Sequence, residues 1–327
     1  MNRKIFKILQ IFITLALLTL VLHQAGLFAA EGRRAFVELL SGANFGYLFL
    51  SVLVGVLINM SSALKWFMLT RARGIAAGYW RIFCYYLIGQ FYNQILPTSV
   101  GGDVVRSYQL GKFSGRQADA LASVFVERYT GVLVLLLVAA VAVLSQSTVF
   151  DVPFVNASLT AFAIGLAGIA WLLFDQRLYR WVKQLVSAKL PLTGGVFAKL
   201  DKLLASVDVY KKNPTALMWA FINSLVFYFI AVLNVYVTAL VFQIDVQFVH
   251  VLIATPIIML IMNIPLSVGN IGLMEFAYVN VFQLLGYSPA LALSVALLMR
   301  LKSLFDGAMG GLLHPFFITN NENHLSE

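Results

Sequence analysis

The chain has 327 residues, of which 61% are hydrophobic and only 11% charged. A soluble domain carries about a quarter charged residues, so this apolar excess cannot fit inside one aqueous core, and an integral membrane protein is expected. In so apolar a chain the net charge of +9 points to cytoplasmic loops beside anionic lipid rather than to nucleic acid.

Arg3, Lys4 and Lys7 precede an apolar run from Ile8 to Leu22. The pattern is like a signal peptide, but Leu27 or Phe28 would fall where cleavage wants a small residue, so a retained first helix is expected. Six stretches are long and apolar enough to span: about 5–24, 45–65, 118–145, 157–174, 215–243 and 289–313. Two further apolar helices, 82–96 and 249–264, are shorter. About fifteen residues reach only ~22 Å, against a hydrocarbon core of ~30 Å. Each runs into a Pro/Gly break, Pro97-Thr98-Ser99-Val100-Gly101-Gly102-Asp103 and Pro265-Leu266-Ser267-Val268-Gly269-Asn270-Ile271-Gly272. Proline lacks an N–H and glycine tolerates turns, so the helices stop there. Two re-entrant helical hairpins are predicted.

The breaks share P-x-S-V-G, and each is followed by a second short helix, a Gly-containing turn and a long span with an arginine at depth, Arg128 or Arg300. That is an internal repeat, with halves near 1–156 and 157–327 in a single polytopic domain covering 1–327. Loop charge sets orientation. Arg3, Lys4 and Lys7 put the N-terminus inside, as do Lys65, Arg71, Arg73 and Arg81 for the segment after the second span. Eight Lys/Arg put 175–214 inside as well, and 146–156 has none. Both termini are then cytoplasmic, the hairpins enter from opposite faces, and the repeat is inverted, as in many transporters. Leu178, Trp181, Val182 and Leu185, then Leu200, Leu203, Leu204 and Val207, recur at helical spacing. The 175–214 segment reads equally as two interfacial amphipathic helices or as a packed cytoplasmic hairpin. The expected fold is all-α: about six transmembrane helices and two re-entrant hairpins.

Irregular backbone at membrane depth survives only where protein or water satisfies it. The breaks are therefore expected to line a polar cavity, with helices starting near Gly101 and Gly269 aiming free N–H groups at an anion, most simply a phosphate. Asp103 is placed to cap the first such helix and Arg106 adds a fixed charge one turn in. Charge at depth is costly and usually faces a bundle interior or aqueous path. This singles out Arg106, Arg128, Glu275 and Arg300. The alternative for Arg128 or Arg300 is a salt bridge to Glu275 that only pins helices. Asn59, Ser61, Ser62, Asn223, Ser224 and Asn234 read as interhelical hydrogen-bonding residues, and Lys302–Asp306 as an i,i+4 pair. One cysteine, Cys84, allows no disulfide within the chain. Four dispersed histidines lack metal-ligand spacing, so neither a metal nor a cofactor is expected.

The pattern Asn93-x-x-x-Pro97-x-x-x-Gly101-Gly102-Asp103-x-x-Arg106, then Glu127-Arg128-x-x-Gly131, then Pro265-x-Ser267-x-Gly269-x-x-Gly272-x-x-Glu275, resembles the lysylphosphatidylglycerol synthase transmembrane-region, or flippase-like, family. Its best-known member is the membrane half of the bacterial multiple peptide resistance factor. The resemblance runs from about residue 45 to 313, with Asn270 where the family often has glycine. It implies lipid translocation across the bacterial inner membrane. The chain stops at Glu327 with no soluble aminoacyl-transferase domain, so lipid lysylation by this chain is not implied.

The expected function is a non-enzymatic transporter of an anionic phospholipid or a polyprenyl-phosphate-linked sugar. The phosphate would be held by Asn93, Pro97, Ser99, Gly101, Gly102, Asp103, Arg106 and Arg128 of the first half. From the second half come Pro265, Ser267, Gly269, Asn270, Gly272, Glu275 and Arg300. Gly-x-x-x-x-Gly-Lys-[Ser/Thr] is absent, so transport would be passive or coupled to a gradient. Competing readings are a polytopic glycosyltransferase using Glu31, Glu38 or Asp103, and a scaffold of a synthesis complex. Self-association is left open.

Overall fold

The computed structural model describes residues 3–96, 101–145, 213–264 and 266–319, with isolated positions between 160 and 210. The predicted span at 157–174 and most of the basic 175–214 segment lie outside the described residues. Ten α-helices are described and no strand: α1 (Arg3–Gln24), α2 (Ala30–Ser41), α3 (Phe45–Ala72), α4 (Tyr79–Ile95), α5 (Gly101–Ser114), α6 (Gln117–Ser145), α7 (Pro214–Val241), α8 (Phe248–Met262), α9 (Leu273–Leu284) and α10 (Pro289–Thr319).

Among the described residues, three helices are long and apolar enough to cross a membrane: α3, α6 through Ala142, and α7. They match the predicted spans at 45–65, 118–145 and 215–243. The predicted 5–24 span is the helix α1, and the stretch at 289–313 is α10, which carries Arg300, Lys302 and Asp306 near its middle. α2 is an addition. Counting through the spans makes this segment an external loop, with Arg33 and Arg34 dissenting beside Glu31 and Glu38, yet it forms a helix that packs on α10. A correction concerns α3, which runs on to Ala72. Lys65 is therefore inside a helix and only 7% exposed, not a loop charge.

The short helices fall where the breaks require. α4 has 17 residues and α8 has 15, and each packs on the helix after its break, α5 or α9. The duplication extends to the whole four-helix unit. α3 and α7 each have 28 residues and start 169 residues apart, at Phe45 and Pro214. α4 and α8 start at Tyr79 and Phe248, also 169 apart. α5 and α9 start at Gly101 and Leu273, and α6 and α10 at Gln117 and Pro289, each 172 apart.

Packing follows the duplication. α3 lies against α7, α4 against α10, and α8 against α6, so exchanging the units reproduces the arrangement. Glycine lets these partners approach. A Cβ on Gly310 of α10 would stand 2.0 Å from the Leu87 carbonyl oxygen of α4, and one on Gly102 of α5 would stand 1.9 Å from that of Gly89. Small residues at such crossings let helix backbones meet where lipid offers no hydrophobic drive for association.

Candidate functional site

α5 and α6 bring two carboxylates and two arginines together. Asp103 accepts from Arg128 Nε at 2.7 Å and Nη2 at 3.0 Å, and from Arg106 Nε at 3.0 Å. Arg106 Nη1 lies 2.7 Å from Glu127 Oε2 and Nη2 lies 2.9 Å from Asp103 Oδ1. These last two approaches are ionic, without the alignment of a hydrogen bond. The Arg106 guanidinium also sits over the rings of Trp66, at 4.6 Å, and Tyr86, at 5.3 Å. A weakly hydrated planar cation is the group best suited to such a slot. Arg106 is 1% exposed, whereas half the Arg128 side-chain surface is open.

The open end of Arg128 borders a cavity of about 110 Å³ between α3, α4, α6, α7 and α8. Its polar lining includes Ser62, Lys65, Tyr86, Glu127, Asn223 and Asn263. Lys65 reaches in from α3 and donates to Ser224 Oγ at 2.9 Å. Gly131 makes room for it: a Cβ there would stand 3.2 Å from Lys65 Nζ. Ser61 donates to Asn223 at 3.5 Å, so this polar stripe does join α3 to α7 as expected.

The matching cluster of the second unit is closed. Arg300 donates to Glu275 through Nε at 2.9 Å and Nη2 at 3.1 Å, and to the carbonyls of Gly269 at 2.9 Å and Asn270 at 2.6 Å. Glu275 also accepts the Gly272 N–H at 2.8 Å. Asp103–Arg128 and Glu275–Arg300 are each 25 residues apart, equivalent pairs in the two units. The difference lies in the break. Gly269 and Asn270 both have φ +57° and Gly272 has φ +80°, a left-handed path that turns two carbonyls onto Arg300. Asparagine tolerates that region better than other side chains, which accounts for Asn270 at a glycine position.

Several expectations are corrected by this geometry. The N-termini of α5 and α9 do not offer their first N–H groups to a shared cavity. The Gly102 N–H donates to Asn93 Oδ1 at 2.8 Å, and the Gly272 N–H to Glu275. Asp103 does not cap α5; it anchors two arginines. Gly101 is pressed against Leu96, where a Cβ would come within 2.5 Å of Cδ1. Arg106 stands behind Arg128, and Arg300 belongs to the separate Glu275 clasp, which realises the salt-bridge alternative. Ser267 is buried, its hydroxyl without a partner among the described residues. Pro97, Ser99 and Pro265 lie outside them. Lys302 donates to Asn234 and Thr238, each at 2.7 Å.

Lys65 and Glu127 are the residues that sequence reasoning left out. Glu127 is adjacent to Arg128 in the chain but points elsewhere on the helix, and that direction leads to Arg106. For Lys65 a signal existed: it follows Ser61 and Ser62 by four and three residues, on one helical face of an apolar span.

Comparison with known proteins agrees with this picture. The chain matches the lysylphosphatidylglycerol synthase TM region over residues 7–310. It is 23% identical over 288 residues to a UPF0104 membrane protein of Methanothermobacter thermautotrophicus, covering 83% of this chain and 85% of that protein. No solved structure matches. With the match spanning both four-helix units and both arginine clusters, the chain belongs to the lysylphosphatidylglycerol synthase transmembrane-region family.

Proposed function

We propose that the protein moves a lipid with an anionic headgroup across the bacterial inner membrane, binding its phosphate in the cavity beside Arg128 and Lys65. The observation that carries this reading is the half-exposed Arg128 side chain, lining a polar cavity inside an apolar bundle. A cation at such depth costs about 2.5–3.5 kcal/mol on insertion scales, and an anion arriving beside it offsets that cost. Asp103 holds two of the guanidinium nitrogens and fixes the plane of the third. Lys65 supplies a point charge from the opposite wall, and Asn223 and Asn263 can bond to headgroup oxygens. Transport is passive or gradient-coupled in this reading. The loop charges support cytoplasmic termini and hairpins inserted from opposite faces. The glycosyltransferase alternative is less well supported, because Asp103, its best-placed acid, is consumed by two arginines.

The test is translocation of a fluorescent anionic phospholipid in liposomes holding purified protein. Wild type is expected to accelerate it. Arg128→Ala and Lys65→Met are each expected to slow it at least about tenfold, the effect of losing about 1.4 kcal/mol of headgroup binding. Asp103 keeps Arg106 in both variants, so both should stay folded. Sugar transfer without lipid movement, or wild-type rates in both variants, would overturn the proposal.

A further inference from the structure

The cations around the cavity outnumber the carboxylates. Lys65, Arg106 and Arg128 meet Asp103 and Glu127, and the ion pairs leave one positive charge without a partner. Both carboxylates are committed to guanidinium groups: Asp103 to Arg128 and Arg106, Glu127 to Arg106. The Lys65 ammonium, 7% exposed, donates to the neutral Ser224 hydroxyl and makes no ion pair at contact distance among the described residues. In the second unit Arg300 and Glu275 cancel one for one. The surplus therefore belongs to the open cluster alone.

Charge balance matters most where water is scarce. Two unit charges 4 Å apart interact by about 4 kcal/mol at an effective dielectric constant of 20, and a buried unpaired charge is the costly state of a cluster. One negative charge brings this cluster to neutrality. A second would leave an unpaired negative charge in its place. A headgroup carrying its own ammonium would set that cation beside the exposed end of Arg128. Size agrees with a small group, since about 110 Å³ is well below the ~300 Å³ at which drug-sized ligand pockets begin.

We infer that the cavity selects a singly charged phosphodiester, and discriminates against both a doubly charged phosphomonoester and a zwitterionic headgroup. This rests on the lipid-binding reading above and specifies its substrate class. Lys65 is the residue that sets the preference, through the one charge it adds to an otherwise balanced quartet.

The experiment uses three lipids with the same acyl chains: phosphatidylethanol (a monoanionic diester), phosphatidic acid and phosphatidylcholine. Each is titrated onto the full-length protein in neutral-detergent micelles and read by native mass spectrometry. The pH is about 7, where a phosphomonoester, with its second pKa near 6, is mostly a dianion. Wild type is expected to bind phosphatidylethanol at least about tenfold more tightly than either other lipid. Lys65→Met should erase that difference and Lys65→Arg should keep it. Phosphatidic acid binding as well as phosphatidylethanol, or an unchanged preference in Lys65→Met, overturns the inference and leaves the lipid reading intact. No binding of any of the three, or binding unaltered by Arg128→Ala, overturns both.

Discussion

Arg300→Ala is expected to cost about 3–5 kcal/mol of stability, the range for stranding one member of a buried ion pair. Four interactions disappear together: two with Glu275 and one each with the carbonyls of Gly269 and Asn270. Glu275, 3% exposed, would keep only the Gly272 N–H. The left-handed backbone at 269–272 would lose what holds it in a sparsely populated region. Lysine keeps the charge but not the fork, so Arg300→Lys should recover less than half of the loss. Thermal unfolding in detergent, followed by tryptophan fluorescence, is the measurement. A fall on the order of 10 °C is expected for alanine. Melting at the wild-type temperature, with lipid movement lost, would return Arg300 to direct headgroup contact and refute its role as a clasp.

Asp103→Asn should be the most damaging change in the first unit. The carboxylate serves Arg106 and Arg128 at once. Its neutral isostere would leave three cations facing Glu127 alone. Removing the shared partner of two guanidiniums costs about 3–5 kcal/mol where the group is buried, and Asp103 is 5% exposed. Arg128→Ala should be much milder, because Asp103 still pairs with Arg106 and half the removed side chain was already open. The expected order of melting temperatures is wild type, then Arg128→Ala, then Asp103→Asn well below. If Asp103→Asn melts at or above Arg128→Ala, the carboxylate does not hold the cluster together.

Much of this architecture is written locally. Pro97 and Pro265 with their glycines end α4 and α8 close to the predicted positions, because helix termination depends on the residue at that place. Arginines at depth in otherwise apolar helices identify the two clusters for a similar reason: their cost is intrinsic. What stayed hidden depends on partners. Glu127 matters through Arg106 on another helix, and helical direction alone cannot say what it meets. Lys65 sits near the end of an apolar run, where a lysine reads as a loop charge until the helix is seen to continue to Ala72. The repeat was visible as P-x-S-V-G, 168 residues apart. The longer offset of 172 beyond it required knowing that a short turn follows Gly269 before α9 begins.

That short turn also decides stoichiometry. Duplication alone would give the chain two equivalent receptors, one for each arginine of the matching pairs. In the second unit the carbonyls of Gly269 and Asn270 complete the coordination of Arg300 from within, so on the proposed reading only the first unit offers an open arginine to a headgroup. Saturation at one headgroup per chain follows, with a hyperbolic isotherm and no cooperativity between the halves. On the same reading, a family member without the turn after Gly269 is expected to keep both arginines open and to bind two headgroups.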